Sequence, residues 1–214
     1  MRDRFQEQLM LLNKELVEMG ALCEEAIRYA VNMLTEKNTQ LKEKAIDAEK
    51  QIDRMERDIE ALCMRLLMHQ QPVATDFRMV TAALKMISDL ERIGDHAEDI
   101  AEIAEYVSAV DLKSNIHISE MAQASVQMVI TSVDSYVQKN TDLAKAVIAA
   151  DDKVDEYFKK VKRELIEAVR SGNDNAEVLL DLLMIAKYFE RIGDHAENVA
   201  EWVIYAITGV HKVT

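Results

Sequence analysis

Three acids spaced four and three apart, Glu91, Asp95 and Glu98, fall within the string ERIGDHAE, and the same eight residues return at 190–197 with Glu190, Asp194 and Glu197 in matching places. Projected on a helix at about 100° per residue, Glu91, Asp95, Glu98 and Glu102 share a wedge of roughly 60° bordering an apolar stripe. Like charges four apart weaken a helix by about a few tenths of a kcal/mol per pair, and partial burial beside a core adds to that cost. A second acid pair precedes each string, Glu49 and Asp53 before the first and Asp151 and Asp155 before the second. If the helices carrying pair and string are antiparallel neighbours, their carboxylates meet at one level. Oxygen clusters of that kind suit hard cations: magnesium, manganese, calcium or iron. Spacing alone leaves a second reading open, a solvated acidic face such as long helices commonly present. Arg92 projects about 50° or more outside the wedge and is expected to be a poor neutraliser for all four acids. His96 and His195 follow the aspartates but project away from the acids, which predicts an exposed or inter-subunit histidine and not a ligand.

The elements that must position these acids come in two copies. NTQLKEKAI at 38–46 matches NTDLAKAVI at 140–148, an offset of 102 that aligns Glu49 with Asp151 and Asp53 with Asp155, while the ERIGDHAE strings are offset by 99. The three-residue difference falls at a loop, HQQPVATD with Pro72 in the first copy and the shorter SGNDNAE with Gly172 in the second. LERIGDHAEDIAE and FERIGDHAENVAE agree at ten of 13 positions although the outer helices have diverged, so a constraint acts on the string that its flanks do not share. That weighs toward the cation. Gly94 and Gly193 stand inside the strings, where glycine costs about 1 kcal/mol relative to alanine. Close approach of a neighbouring helix beside the acids would account for them.

Each copy reads as three long helices, which predicts an all-α fold of two tandem three-helix bundles, residues 1–112 and 113–214. The first copy has helices from about Phe5 to Thr35, from Thr39 to His69, and from Asp76, as N-cap, to Val110; the second has them near 116–138, 141–171 and 175–208, with Gly172 ending the middle one. Leu41, Ala45, Ala48, Ile52, Met55, Ile59 and Leu62 form one apolar stripe, and Val80, Ala83, Ile87, Leu90, Gly94, Ala97 and Ala101 another. Met10, Met19, Met55, Met64 and Met128 recur at helical spacing and are expected in the core.

Composition narrows the function classes. One proline and five glycines in 214 residues leave few obligatory helix stops and disfavour turn-rich β architectures. A net charge of −13 repels nucleic-acid backbones. The N-terminal MRDRFQEQLMLLNKEL lacks the apolar centre of a secretory signal, and no run approaches the roughly 20 apolar residues of a membrane span, so a cytoplasmic protein is expected. Cys23 and Cys63 lie within helical patterns and are expected to be buried free thiols.

With these residues in place the chain resembles the PhoU family of bacterial phosphate-uptake regulators, through its two three-helix repeats, the QPVATDFR lead into a third helix and the doubled ERIGD. The resemblance covers nearly the whole length. It implies metal clusters on E/D-x-x-x-D motifs, which fall here on Glu49 and Asp53 with Glu91 and Asp95, and on Asp151 and Asp155 with Glu190 and Asp194. The metal it implies is iron, zinc or another divalent ion, manganese and magnesium being compatible with the oxygen ligands. It further implies an adaptor without catalytic activity that links the ATPase of the phosphate ABC transporter to a phosphate-sensing histidine kinase, as a homodimer held by its partners at the inner face of the membrane, and that represses the phosphate-starvation response. Two other readings compete. A ferritin-like di-iron oxidase would need Glu-x-x-His pairs, and none of His69, His96, His117, His195 and His211 has a glutamate three residues earlier. A metal-free helical scaffold is the other.

Overall fold

A computed structural model describes residues 2–36, 38–69, 73–107, 117–172 and 175–210. The chain is all-α: α1 Arg2–Glu36, a 3-10 turn Thr39–Leu41, α2 Lys42–His69, α3 Ala74–Val107, α4 Ile118–Val137, α5 Thr141–Arg170 and α6 Ala176–Thr208. The repeated Asn-Thr dipeptide starts the middle helix of each half. Asn140 accepts hydrogen bonds from the backbone N–H groups of Asp142 (2.9 Å) and Leu143 (3.3 Å), and Asn38 accepts from Gln40 (3.2 Å) in the turn that leads into α2. Gly172 and Gly209, at φ 79° and 77°, supply the left-handed residue just beyond α5 and α6.

Two expectations about helix ends need correction. α3 begins at Ala74, so Asp76 lies in its first turn, where its charge complements the helix dipole and does not cap the helix. α1 begins at Arg2, ahead of Phe5, because its first polar turn continues the helix without a breaker. Pro72, the stretch 108–116 with the expected third-helix end at Val110, the start at 116 and the repeat boundary at 112/113, and His211 all lie outside the described residues.

In each half the three helices pack on one another, and the halves join through α3 against α6 and α1 against α4. α3 and α6 run antiparallel, since Arg78 near the start of α3 donates from Nε to the Ala206 carbonyl near the end of α6 at 3.5 Å. The predicted stripe of α3 is buried along its whole length, as are Ala45, Ala48, Ile52, Ile59 and Leu62 of α2. Leu41 and Met55 are partly buried against the same core. Methionine type was a poorer guide than position: Met19 and Met128 are buried, whereas Met10 and Met64 stand off the stripes at 63% and 46% exposure.

The core is continuous across the two halves, and polar groups stitch it together. The Tyr136 hydroxyl of α4 donates to the Met79 carbonyl of α3 at 3.1 Å, and Ser125 donates to Phe189 of α6 at 3.0 Å. At the α1–α4 crossing a Cβ on Gly20 would lie 2.9 Å from Val133 Cγ2, so only glycine allows that approach. Cys23 and Cys63 are free and buried, and burial pushes the Cys63 thiol up to about 12 and that of Cys23 further. Among the described residues no helix is long and apolar enough to cross a membrane.

Tyr136→Phe removes one buried hydrogen bond between the halves and should lower the unfolding free energy by about 1 kcal/mol. Urea denaturation measures it, and an unchanged midpoint with an unchanged slope would show that the bond contributes nothing to the joint.

Candidate metal centre

In the first half α3 lies close on α2 at Gly94, where a Cβ would meet Ile52 Cδ1 at 2.9 Å. That approach sets acids of the two helices opposite each other. Asp53, Glu56 and Glu91 each offer an oxygen, and the three oxygens lie within 4.8 Å of one another. Ser88 holds Glu56 in place, its hydroxyl donating to Oε1 at 3.2 Å. Further along, Glu49 faces Glu98 and Asp95; burial first, then Glu98, Asp53 and Asp95, pushes its carboxyl above the ordinary range. Burial and then Asp95 do the same to Glu91, and burial with Glu102 and Asp95 to Glu98.

Cations of the chain reach part of this cluster. Arg57 pairs with Asp53 at 2.9 Å. Contrary to the wheel projection, Arg92 reaches two of the acids, Asp95 at 2.9 Å and Glu91 at 3.5 Å. A wheel places Cα atoms, whereas a guanidinium at the end of a long flexible stem covers the neighbouring turn.

The second half repeats the approach at Gly193, where a Cβ would lie 3.1 Å from Asp151 Oδ1 and 3.3 Å from Val154 Cγ1. Asp151 is pushed up to about 6, by burial foremost and then by Glu197, Asp194, Asp155 and Glu190. Asp194, at the exposed edge of the patch, is also raised, by burial and by Glu190. Lys159 pairs with Asp155 at 3.4 Å, and the Lys187 ammonium pairs with Glu190. All four predicted acids share this patch, but the trio seen in the first half has no counterpart among the described residues.

Of the eight predicted residues, then, Asp53 and Glu91 are brought within coordinating reach of a common point. Glu49 and Asp95 border them, and Asp151, Asp155, Glu190 and Asp194 crowd one another electrostatically. Glu56 was missed. It lies three residues after Asp53 on the same helix face, but comparing the two copies hides it, because the corresponding position in α5 is Phe158.

The histidines correct the expectation of exposure or of a subunit interface. His96 is 9% exposed, inside the α3–α6 joint of this single chain. Its ring centroid lies 5.3 Å from that of Tyr188 and 5.6 Å from that of His195. His195 Nδ1 lies 2.9 Å from Asp89, which also accepts from Asn198 at 3.2 Å. The projection correctly turned both rings away from the acids; the side they turn toward is covered by the other half, and burial lowers the His96 pKa.

The donor set is all oxygen. An oxygen trio spanning 4.8 Å is close to what one ion with bonds of about 2.0–2.4 Å needs, after small rotations of partly buried carboxylates. Among the described residues no cysteine or histidine joins the trio, which favours a hard ion over a thiophilic one.

Similarity to known proteins follows the same outline. A family model described as the PhoU domain matches residues 16–104 and again 118–203. A phosphate-specific transport system accessory protein PhoU homolog of Clostridium acetobutylicum is 35% identical over 210 residues, 97% of this chain and 96% of the relative. Its namesake from Aquifex aeolicus is 40% identical over 197 residues, covering 92% and 89% of the two chains. The crystal structure of PhoU from Pseudomonas aeruginosa superposes with a TM-score of 0.90 at 32% identity, over 96% of this chain and 100% of that one. The phosphate transport system regulatory protein PhoU from Streptococcus pneumoniae has the same fold, with a TM-score of 0.89 at 24% identity over 98% and 100% of the chains.

The raised Asp151 carboxyl has a consequence for stability. Its pKa rises from 3.8 unfolded to about 6 folded, so between those values the native state binds the extra proton and stability increases as pH falls; above the folded value the cost is fully present. Metal-free Asp151→Asn should therefore be more stable than the parent near neutral pH by about 1 kcal/mol, well under the full shift because solvent screens a half-exposed group. The advantage should vanish near pH ~4. Paired urea titrations at the two pH values check both statements.

Proposed function

We propose, given that this chain belongs to the PhoU domain family, that it is a regulator of phosphate uptake acting through metal-stabilised contacts with other proteins. The observation that carries the reading is its likeness, over nearly the full length of both chains, to proteins named as accessory proteins of the phosphate-specific transport system. The family is one of accessory regulators, and this chain is not an enzyme. On this reading its partners are the ATPase subunit of a phosphate ABC transporter and a phosphate-sensing histidine kinase. It works as a cytoplasmic homodimer held by those partners at the inner face of the membrane. Its output is repression of the phosphate-starvation response when phosphate is plentiful.

In this proposal the carboxylates of each half hold hard cations such as iron, manganese or magnesium, with zinc a weaker fit to an all-oxygen set. Asp53, Glu56 and Glu91 take the ion directly in the first half, with Glu49 and Asp95 beside it. Asp151, Asp155, Glu190 and Asp194 do so in the second. Support comes from carboxylates raised by burial and mutual repulsion on helices that glycine packs too closely for them to part. The ion's part is structural: it binds α2 to α3 and α5 to α6 and so fixes the faces offered to partners.

Deleting this chain from its host should turn on a phosphate-starvation reporter in phosphate-rich medium, and a reporter that stays silent would overturn the regulatory reading. Combining Glu91→Ala with Glu190→Ala should lower bound metal and melting temperature together, read by elemental analysis and thermal denaturation. If metal content is unchanged, these acids are not the ligands.

A further inference from the structure

The duplicated halves place corresponding residues in register, 102 apart between α2 and α5 and 99 apart between α3 and α6. Asp53 and Glu91 then correspond to Asp155 and Glu190, an unchanged pair of carboxylates. Two positions beside that pair, which touch each other, are exchanged as a set. Where the first half has Glu56 and Ser88 the second has Phe158 and Lys187.

The exchange is chemically coherent. In the first half Ser88 donates to Glu56 and helps aim it at Asp53 and Glu91, completing three carboxylates within 4.8 Å. In the second half the ammonium of Lys187 pairs with Glu190 and lies 5.5 Å from the centroid of the Phe158 ring. It is thus fixed at two points, by an ion pair and by the ring face. The Glu190 side chain is only 14% exposed there, and that of Lys187 39%. Arginine follows the same division. Arg92 touches Glu91 and Asp95 from a position 60% exposed to solvent, whereas its counterpart Arg191 stacks on Tyr188, 5.9 Å from that ring's centroid. The cations on the first trio, Arg57 on Asp53 and Arg92 on Glu91, are thus 62% and 60% exposed and solvent ions can readily replace them, whereas Lys187 in the second half is held in place.

We propose that the two acidic patches are not equivalent: the first is built to take a divalent cation from solution, and the second carries Lys187 as an internal counter-cation that an incoming ion must displace. The inference rests on the metal-binding reading above and adds an order to it. The first half fills at low free metal; the second fills only when the ion outcompetes the lysine. Removing the Lys187 charge strengthens the second site, because a positive charge beside an entering divalent ion costs electrostatic energy in a half-buried place.

The test is a titration of the metal-free protein with Mn2+ by calorimetry, with bound Mn2+ counted by electron paramagnetic resonance. Wild-type protein should resolve two classes of site whose affinities differ by at least about tenfold. Glu56→Gln should weaken the tighter class by about tenfold or more and spare the other, and Lys187→Met, which keeps the apolar stem on Phe158, should tighten the weaker class by a similar factor. Unchanged helical circular dichroism in both variants ties these shifts to the side chains. One uniform class in the wild type, or a weaker class indifferent to Lys187→Met, would overturn the proposed non-equivalence while leaving metal binding standing. No Mn2+ bound by wild type or variants at millimolar concentration would remove the metal reading and this inference with it.

Discussion

Close packing of α3 on α2 at Gly94, and of α6 on α5 at Gly193, is the constraint from which the rest of the molecule's electrostatics follows. At Gly94 a methyl group would collide with Ile52, and at Gly193 it would press tightly on Asp151 and Val154. Glycine in mid-helix is unfavourable by about 1 kcal/mol, and what it secures is a short inter-helix distance at the level of the acids. Held that close, and backed by an apolar core, the carboxylates lose hydration and cannot spread. Glu49, Glu91, Glu98, Asp151 and Asp194 hold their protons more tightly as a result, Asp151 most of all. Cations of the chain relieve part of this, Arg57 and Arg92 in the first half and Lys159 and Lys187 in the second.

Much of this was legible in the residues. Apolar stripes of period 3.6 gave six helices and their buried faces, and the repeated strings gave the two-fold plan. Asn38, Asn140 and Gly172 marked turns through local chemistry that does not depend on tertiary context. What escaped is equally specific. Glu56 was invisible to a comparison of copies because its counterpart had become phenylalanine. The reach of Arg92 depends on side-chain length, which a projection of Cα positions leaves out. The burial of His96 depends on which face of α3 the other half covers, and a helical wheel of one element does not contain its neighbour.

That covered face is the centre of the molecule. α3 and α6 cross antiparallel with the His96 and His195 rings side by side and tilted, while Asp89 and Tyr188, at corresponding positions, serve opposite rings. His195 thus takes its carboxylate, Asp89, from the other half, while His96 meets Asp99 of its own helix and packs beside the Tyr188 phenol, so the joint is symmetric in backbone and asymmetric in chemistry. The acidic patches lie on the opposite sides of the same two helices. Each of these helices therefore carries a polar site on one flank and the seam between halves on the other.

The placement of the thiols has its own practical consequence. Cys23 and Cys63 belong to α1 and α2 of the first half, both buried and both with the proton held far above neutral pH. Thiolate, the form that reacts with alkylating reagents, is scarce in such a setting. Modification must wait until that half opens, so the pace of cysteine labelling acts as a clock for the breathing of the N-terminal bundle.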